Sequence, residues 1–175
     1  MKKRTYLIIA SVAASSLILS GCGKSSEGSN STSENATELT QNAEATTTGA
    51  FGTELKLGAN ATLTMSVPAS YTPTVFASNF QQGWTANRIE VTVTNKGSDA
   101  LESSSIAFAI TSGANVCVDI LDGDNGINGA PTTALAAGAS ETFSLGIACD
   151  AKSGDPLEIT ATIGSDIAAA TGTLG

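Results

Sequence analysis

The stretch NRIEVTVTN, Asn87 to Asn95, sets Ile89, Val91 and Val93 at alternate positions, with Arg88, Glu90, Thr92 and Thr94 between them. Successive side chains of an extended strand point to opposite faces, so this alternation makes one apolar and one polar face. The same period of two recurs on either side, in TLTMSV (Leu63, Met65, Val67), SSIAFAI (Ile106, Phe108, Ile110), ETFSLGIAC (Phe143, Leu145, Ile147) and PLEITATI (Leu157, Ile159, Ala161, Ile163). Turn-forming clusters separate these runs at Gly58-Ala-Asn60, Asn95-Lys-Gly97-Ser98, Gly138-Ala-Ser140 and Ser153-Gly-Asp155-Pro156. No segment carries the apolar stripe of a helix. About seven short strands in ~125 residues predict an all-β chain folded as one antiparallel β-sandwich over residues 51–175.

The beginning of the chain reads differently. Lys2, Lys3 and Arg4 precede an apolar run from Tyr6 to Leu19, the layout of a secretory signal over residues 1–21. The run is shorter and richer in Ser and Ala than the roughly 20 apolar residues a membrane-spanning helix needs. It closes on Leu19-Ser20-Gly21-Cys22, which resembles the lipobox of bacterial lipoproteins. That resemblance implies lipidation of Cys22 as the mature N-terminus and a place on the outer face of the cell membrane, tethered but not spanning. Residues 22–50 are rich in Ser, Thr, Asn and Glu, with one Leu and no aromatic residue. Such a composition buries too little apolar surface to order, so this segment is expected to be a disordered stalk with a typical reach of about 30 Å.

Composition narrows the chemistry. With residues 1–21 removed, five basic residues face sixteen acidic ones, a net charge of about −11 that argues against nucleic acid as a partner. The chain has no histidine, which takes away Ser-His-Asp and Cys-His catalysis together with the commonest transition-metal ligand. Cys117 and Cys149 remain once Cys22 is assigned, and in an exported chain they are expected to form a disulfide. Their strand registers conflict: Cys117 alternates with Val116, Val118 and Ile120, whereas Cys149 shares parity with Phe143 and Ile147. Either Gly146 marks a bulge that flips the parity, or the strand around Cys117 is covered on both faces.

Four segments carry a family resemblance: FGTELKL from Phe51, TMSVPASYTPT from Thr64 to Thr74, IEVTVTNKG from Ile89 to Gly97, and D-x(3)-G-x(2)-G-x-P-x(3)-L-x(2)-G from Asp122 to Gly138. Together they resemble exported Gram-positive, chiefly actinobacterial, lipoproteins with a domain of unknown function, similar in fold to the mycobacterial immunoprotective extracellular antigen. The resemblance spans Phe51 to about Ile163. It implies an immunoglobulin-like sandwich and brings no catalytic residue with it.

Two features invite a functional reading. In DILDGDNGINGAP, Asp119, Asp122, Asp124, Asn125 and Asn128 offer oxygens for calcium, which takes 6–8 of them. Set against the EF-hand template with Asp122 at the first place, the loop has Gly126, Ile127 and Thr133 where a ligand, the glycine and the closing glutamate belong. Its Asp-Gly and Asn-Gly pairs are strong turn formers, so the run is read as a crossing from one sheet to the other. The second feature is SNFQQGWTAN with its upstream neighbour, where Phe76, Phe80 and Trp84 either cap one end of the sandwich or form an aromatic interaction patch. The expectation is a non-catalytic, cofactor-free surface module that binds a protein or envelope ligand. A calcium-stabilised domain is the alternative, and a glycosidase-type carboxylate pair a third class.

Overall fold

A computed structural model describes residues 47–175. The signal segment, Cys22 and the stalk up to residue 46 lie outside the described residues. In chain order the strands are β1 (Thr47–Ala50), β2 (Glu54–Leu57), β3 (Ala61–Met65), β4 (Ala69–Ser70), β5 (Thr85–Asn95) and β6 (Leu101–Glu102). They continue with β7 (Ala107–Thr111), β8 (Cys117–Ile120), β9 (Ala134–Leu135), β10 (Ser140–Cys149), β11 (Pro156–Ile163) and β12 (Asp166–Thr173).

One sheet runs β2-β3-β5-β10-β8, with β4 also paired to β5, and the other runs β1-β12-β11-β7. An immunoglobulin sandwich sets strands A-B-E-D against C-F-G. Here β3, β5, β10 and β8 take the first set of places and β7, β11 and β12 the second, so the fold is the expected immunoglobulin-like sandwich. The opening stretch is its central strand: β5 pairs with β3 on one side and with β10 on the other, and Ile89, Val91 and Val93 are fully buried. Across the sandwich, Ile159, Ala161, Ala168 and Ala170 close the core from β11 and β12.

Three details depart from the sequence reading. First, the domain starts before residue 51, because β1 pairs in parallel with β12, Thr47 opposite Ala168 and Ala50 opposite Thr171. TTGA has no large apolar side chain to announce a strand. Its small residues fit, since a Cβ on Gly49 would sit 2.6 Å from Leu55 Cδ2. Second, β12 reads DIAAATGT, and its core face is built from alanines rather than the β-branched residues that signal a strand. Third, the acidic run is not a sheet-to-sheet crossing. β8 and β10 on either side of it are neighbours in one sheet, and its extra length covers that sheet and then forms β9, which pairs with β6. The change of sheet comes earlier, between β7 and β8, where Ser112 bridges Asn115.

Candidate functional site

β10 is buried at every position from Phe143 to Cys149. Phe143, Leu145, Ile147 and Cys149 face the core, so Ser144, Gly146 and Ala148 must be covered from outside. Two segments do this. Tyr71, Phe80, Trp84 and Val118 pack over Ala86, Ile120 and Ala148 as a second small apolar cluster, and Ile127 of the acidic run is fully buried. A Cβ on Gly146 would meet the Ile120 carbonyl oxygen at 2.8 Å, with Ile120 Cγ1 and Ile127 Cγ2 both at 2.9 Å.

This arrangement resolves the cysteine conflict. β10 pairs with β5 without interruption, so Gly146 marks a close approach and not a bulge. Strand β8 turns Cys117 to the core and Val118 and Ile120 to the covered outer face, while Asp119 and the flanking Val116 and Leu121 are exposed. It is covered on both faces only around Cys117. Cys117 lies directly opposite Cys149, with Cα atoms 4.1 Å apart, and the two are disulfide-bonded. The bond joins neighbouring strands of one sheet, unlike the inter-sheet bond of antibody domains.

The covering segments are fastened to each other through Asp122, which is buried. The Thr74 hydroxyl donates to its Oδ1 at 2.6 Å, and the Thr74 N–H to its Oδ2 at 2.9 Å. Asn125 Nδ2 donates to Oδ2 at 2.8 Å. Burial pushes this carboxyl up, but the hydrogen bonds from Thr74 and Asn125 outweigh it and hold the group below the usual carboxylate range. Nearby, Ser78 N–H donates to the Leu121 carbonyl at 2.8 Å, and Leu121 N–H to Ser78 Oγ at 3.0 Å. Arg88 ties in the sheet beneath, donating to Asn125 O at 3.1 Å, Ser144 Oγ at 2.7 Å and Glu90 Oε1 at 2.7 Å. Its ion pair with Glu90 is about 40% exposed and so worth little as a charge pair. Its use is positional, since one guanidinium reaches three partners.

The five calcium candidates therefore do not converge. Asp122 accepts from Thr74 and Asn125, Asn125 is a donor to it, and Asp119, Asp124 and Asn128 are exposed. Among the described residues no three His, Cys, Asp or Glu side chains are grouped to hold a metal. The aromatic trio also divides. Phe80 and Trp84 are half-buried on the outer face of the sheet, and only Phe76 projects. Trp84 thus caps a face and not an end of the sandwich.

What projects is the turn Thr74–Ala77, closed by Ala77 N–H to Thr74 O at 3.1 Å. Its central residues, Val75 and Phe76, are 93% and 83% exposed. Beside it, Leu121 is 47% exposed and forms one wall of a cleft of about 260 Å³ between the edges of β7 and β8. Ile106, Phe108, Leu145 and Ala130 line the rest, and Asp119 stands in it. Thr74, Ser78 and Arg88 were not read as site residues, and Asp119 was read only as a calcium candidate and Ile106, Phe108 and Leu145 only as strand positions, because the partners lie far away in the chain, 48 positions for Thr74 and Asp122.

No family model matches the sequence, and no curated protein matches it. Among solved structures, YcdA of Bacillus subtilis subsp. subtilis strain 168, described as a lipoprotein, is similar with a TM-score of 0.56 over 69% of this chain at 17% identity. The chain spans 38% of the length of that protein. An uncharacterized β-sandwich protein from Clostridium difficile 630 is similar at a TM-score of 0.40 and 11% identity, over 73% of this chain and 95% of that one. The likeness to YcdA is one of fold.

Proposed function

We propose that the protein is a non-catalytic binding module, held at the outer face of the membrane by lipid on Cys22 and carried on the stalk that follows. The single observation that carries this reading is the Thr74–Ala77 turn. Exposing two adjacent apolar side chains costs solubility, and a loop with no task would be free to fold them away. Here the turn is held out by Asp122 on one flank and Ser78 on the other. The resemblance of Leu19 to Cys22 to a lipobox supports the anchor, and the absence of histidine from the sequence supports a binding role over a catalytic one.

The test is photo-cross-linking in living cells from a benzophenone amino acid at position 76, compared with position 160 on the outer face of the other sheet. A discrete product from position 76 that is absent from position 160 is the expected result. Identical products from both positions would remove the reading. In the same cells, Cys22→Ser is expected to abolish incorporation of labelled fatty acid into the protein, and labelling that persists in this variant would remove Cys22 as the anchor.

A further inference from the structure

We propose that the cleft between β7 and β8 is a socket for an arginine side chain of the partner polypeptide, with Asp119 receiving the guanidinium. This rests on the binding-module reading and names the chemistry of what is bound.

The register sets the problem. Asp119 lies opposite Ile147, whose side chain is fully buried, so its Cβ points to the core side of the sheet. Yet Asp119 is exposed, because β7 and β8 part beyond the Ser112–Asn115 bridge and leave the side of the sandwich open. The result is one carboxylate set among Ile106, Phe108, Leu121 and Leu145. Among the described residues no side chain donates to that carboxylate, and Asn79 Nδ2 donates to the Asp119 main-chain oxygen instead.

Three arguments select the occupant. Charge asks for a cation from elsewhere: residues 47–175 hold Lys56, Arg88, Lys96 and Lys152 against twelve carboxylates, and Arg88 is already engaged. Size asks for a side chain rather than a whole ligand, since about 260 Å³ falls below the roughly 300–1,000 Å³ of small-molecule sites. The walls prefer arginine to lysine. A guanidinium sheds water more readily than an ammonium and stacks on aromatic faces such as Phe108, and its methylenes suit the aliphatic walls. Leu121 gives the partner apolar surface on the cleft wall, and the exposed Val75–Phe76 turn is fastened to the same segment through Ser78–Leu121 and Thr74–Asp122, the apolar setting in which a buried arginine contributes most to an interface.

The test uses the chain from Gly23 to Gly175, with propylguanidinium, the arginine side chain without its backbone, as probe. Amide shifts followed by NMR should saturate at Asp119, Ala130 and Gly146. Guanidinium ion alone and propylurea should leave these amides unmoved, since one lacks the apolar body and the other the charge. Asp119→Asn should weaken the response roughly tenfold, the value of one charge-assisted hydrogen bond. Ala130→Leu, which narrows the cleft and keeps the carboxylate, should weaken it as well. Equal responses to guanidinium and propylguanidinium, or an undiminished response in Asp119→Asn, would overturn the socket. So would vesicles of phosphatidylglycerol broadening the same amides in Asp119→Asn as in the parent chain, which would make the surface a lipid contact. If cross-linking from position 76 survives while the titration fails, the binding module stands and the arginine socket falls.

Discussion

Gly146 concentrates the main packing constraint of the molecule into one missing side chain. Of the three nearest contacts two come from Ile120, and one of those is main chain, which cannot swing aside as the end of a flexible side chain can. Gly146→Val is therefore expected to cost about 1–3 kcal/mol, the usual penalty for overpacking, measured by denaturant unfolding. A valine tolerated at no cost would show that the acidic run does not close over β10. A second residue reports on the same cover. Burial, and after it the nearby Asp122 carboxylate, push the Tyr71 phenol from 10.0 to about 12, with Arg88 pulling the other way. Because the folded state favours the neutral phenol, its contribution to stability is complete below pH 10 and is lost as the pH rises towards 12. The chain from Gly23 has no other tyrosine, Tyr6 lying in the signal segment, so phenolate absorbance reads this group alone. The midpoint is expected well above 10 and lower in Asp122→Asn. A midpoint at 10 would place the ring in water. The acid limb has the opposite sign: the depressed Asp122 group contributes above the usual carboxylate range and loses that contribution as the pH falls through its own, lower, value.

At the scale of elements, the acidic run is a strap. Asp122 faces inward to donors, Ile127 fills the space above Gly146, and Asp124 faces water. Chelation by EGTA, or added calcium, should accordingly leave the melting temperature unchanged, and a calcium-dependent rise would restore the metal reading. The strands that alternate strongly, β3, β5, β10 and β11, were legible because burial on one face writes a period of two into the sequence. β1 and β12 were not, because TTGA and DIAAATGT place Ala, Gly and Thr where neighbouring bulk already fills the core. The site was legible only in fragments. Asp119, Asp122 and Phe76 stood out by type, but the hydrogen bonds that sort them into a strut, a tip and a socket join residues some 40 or more positions apart. Cysteine parity came nearest to foresight. A conflict between two strands that each look simple on their own is the trace that a doubly covered strand leaves.

For the whole molecule, the Cys117–Cys149 bond closes a segment that contains the strap, β9 and all of β10. Its loop of 32 positions gives an expected loss of about 3–4 kcal/mol on replacing both cysteines by serine, in the chain-entropy account of cross-links, checked by urea unfolding. A loss confined to the strap, seen as hydrogen exchange rising only from Leu121 to Ala130, would mean that the bond steadies a loop and not the fold. The same segment also bears on how the chain reaches its folded state. Phe143 to Cys149 reads FSLGIAC, seven residues without a charge or a proline, the composition that self-associates when left uncovered. Glu141 and Asp150 bracket it as gatekeepers. Its partner β5 precedes it in the chain, so during synthesis the template is made before the strand that needs it, and the most aggregation-prone stretch of the protein emerges with a place to go.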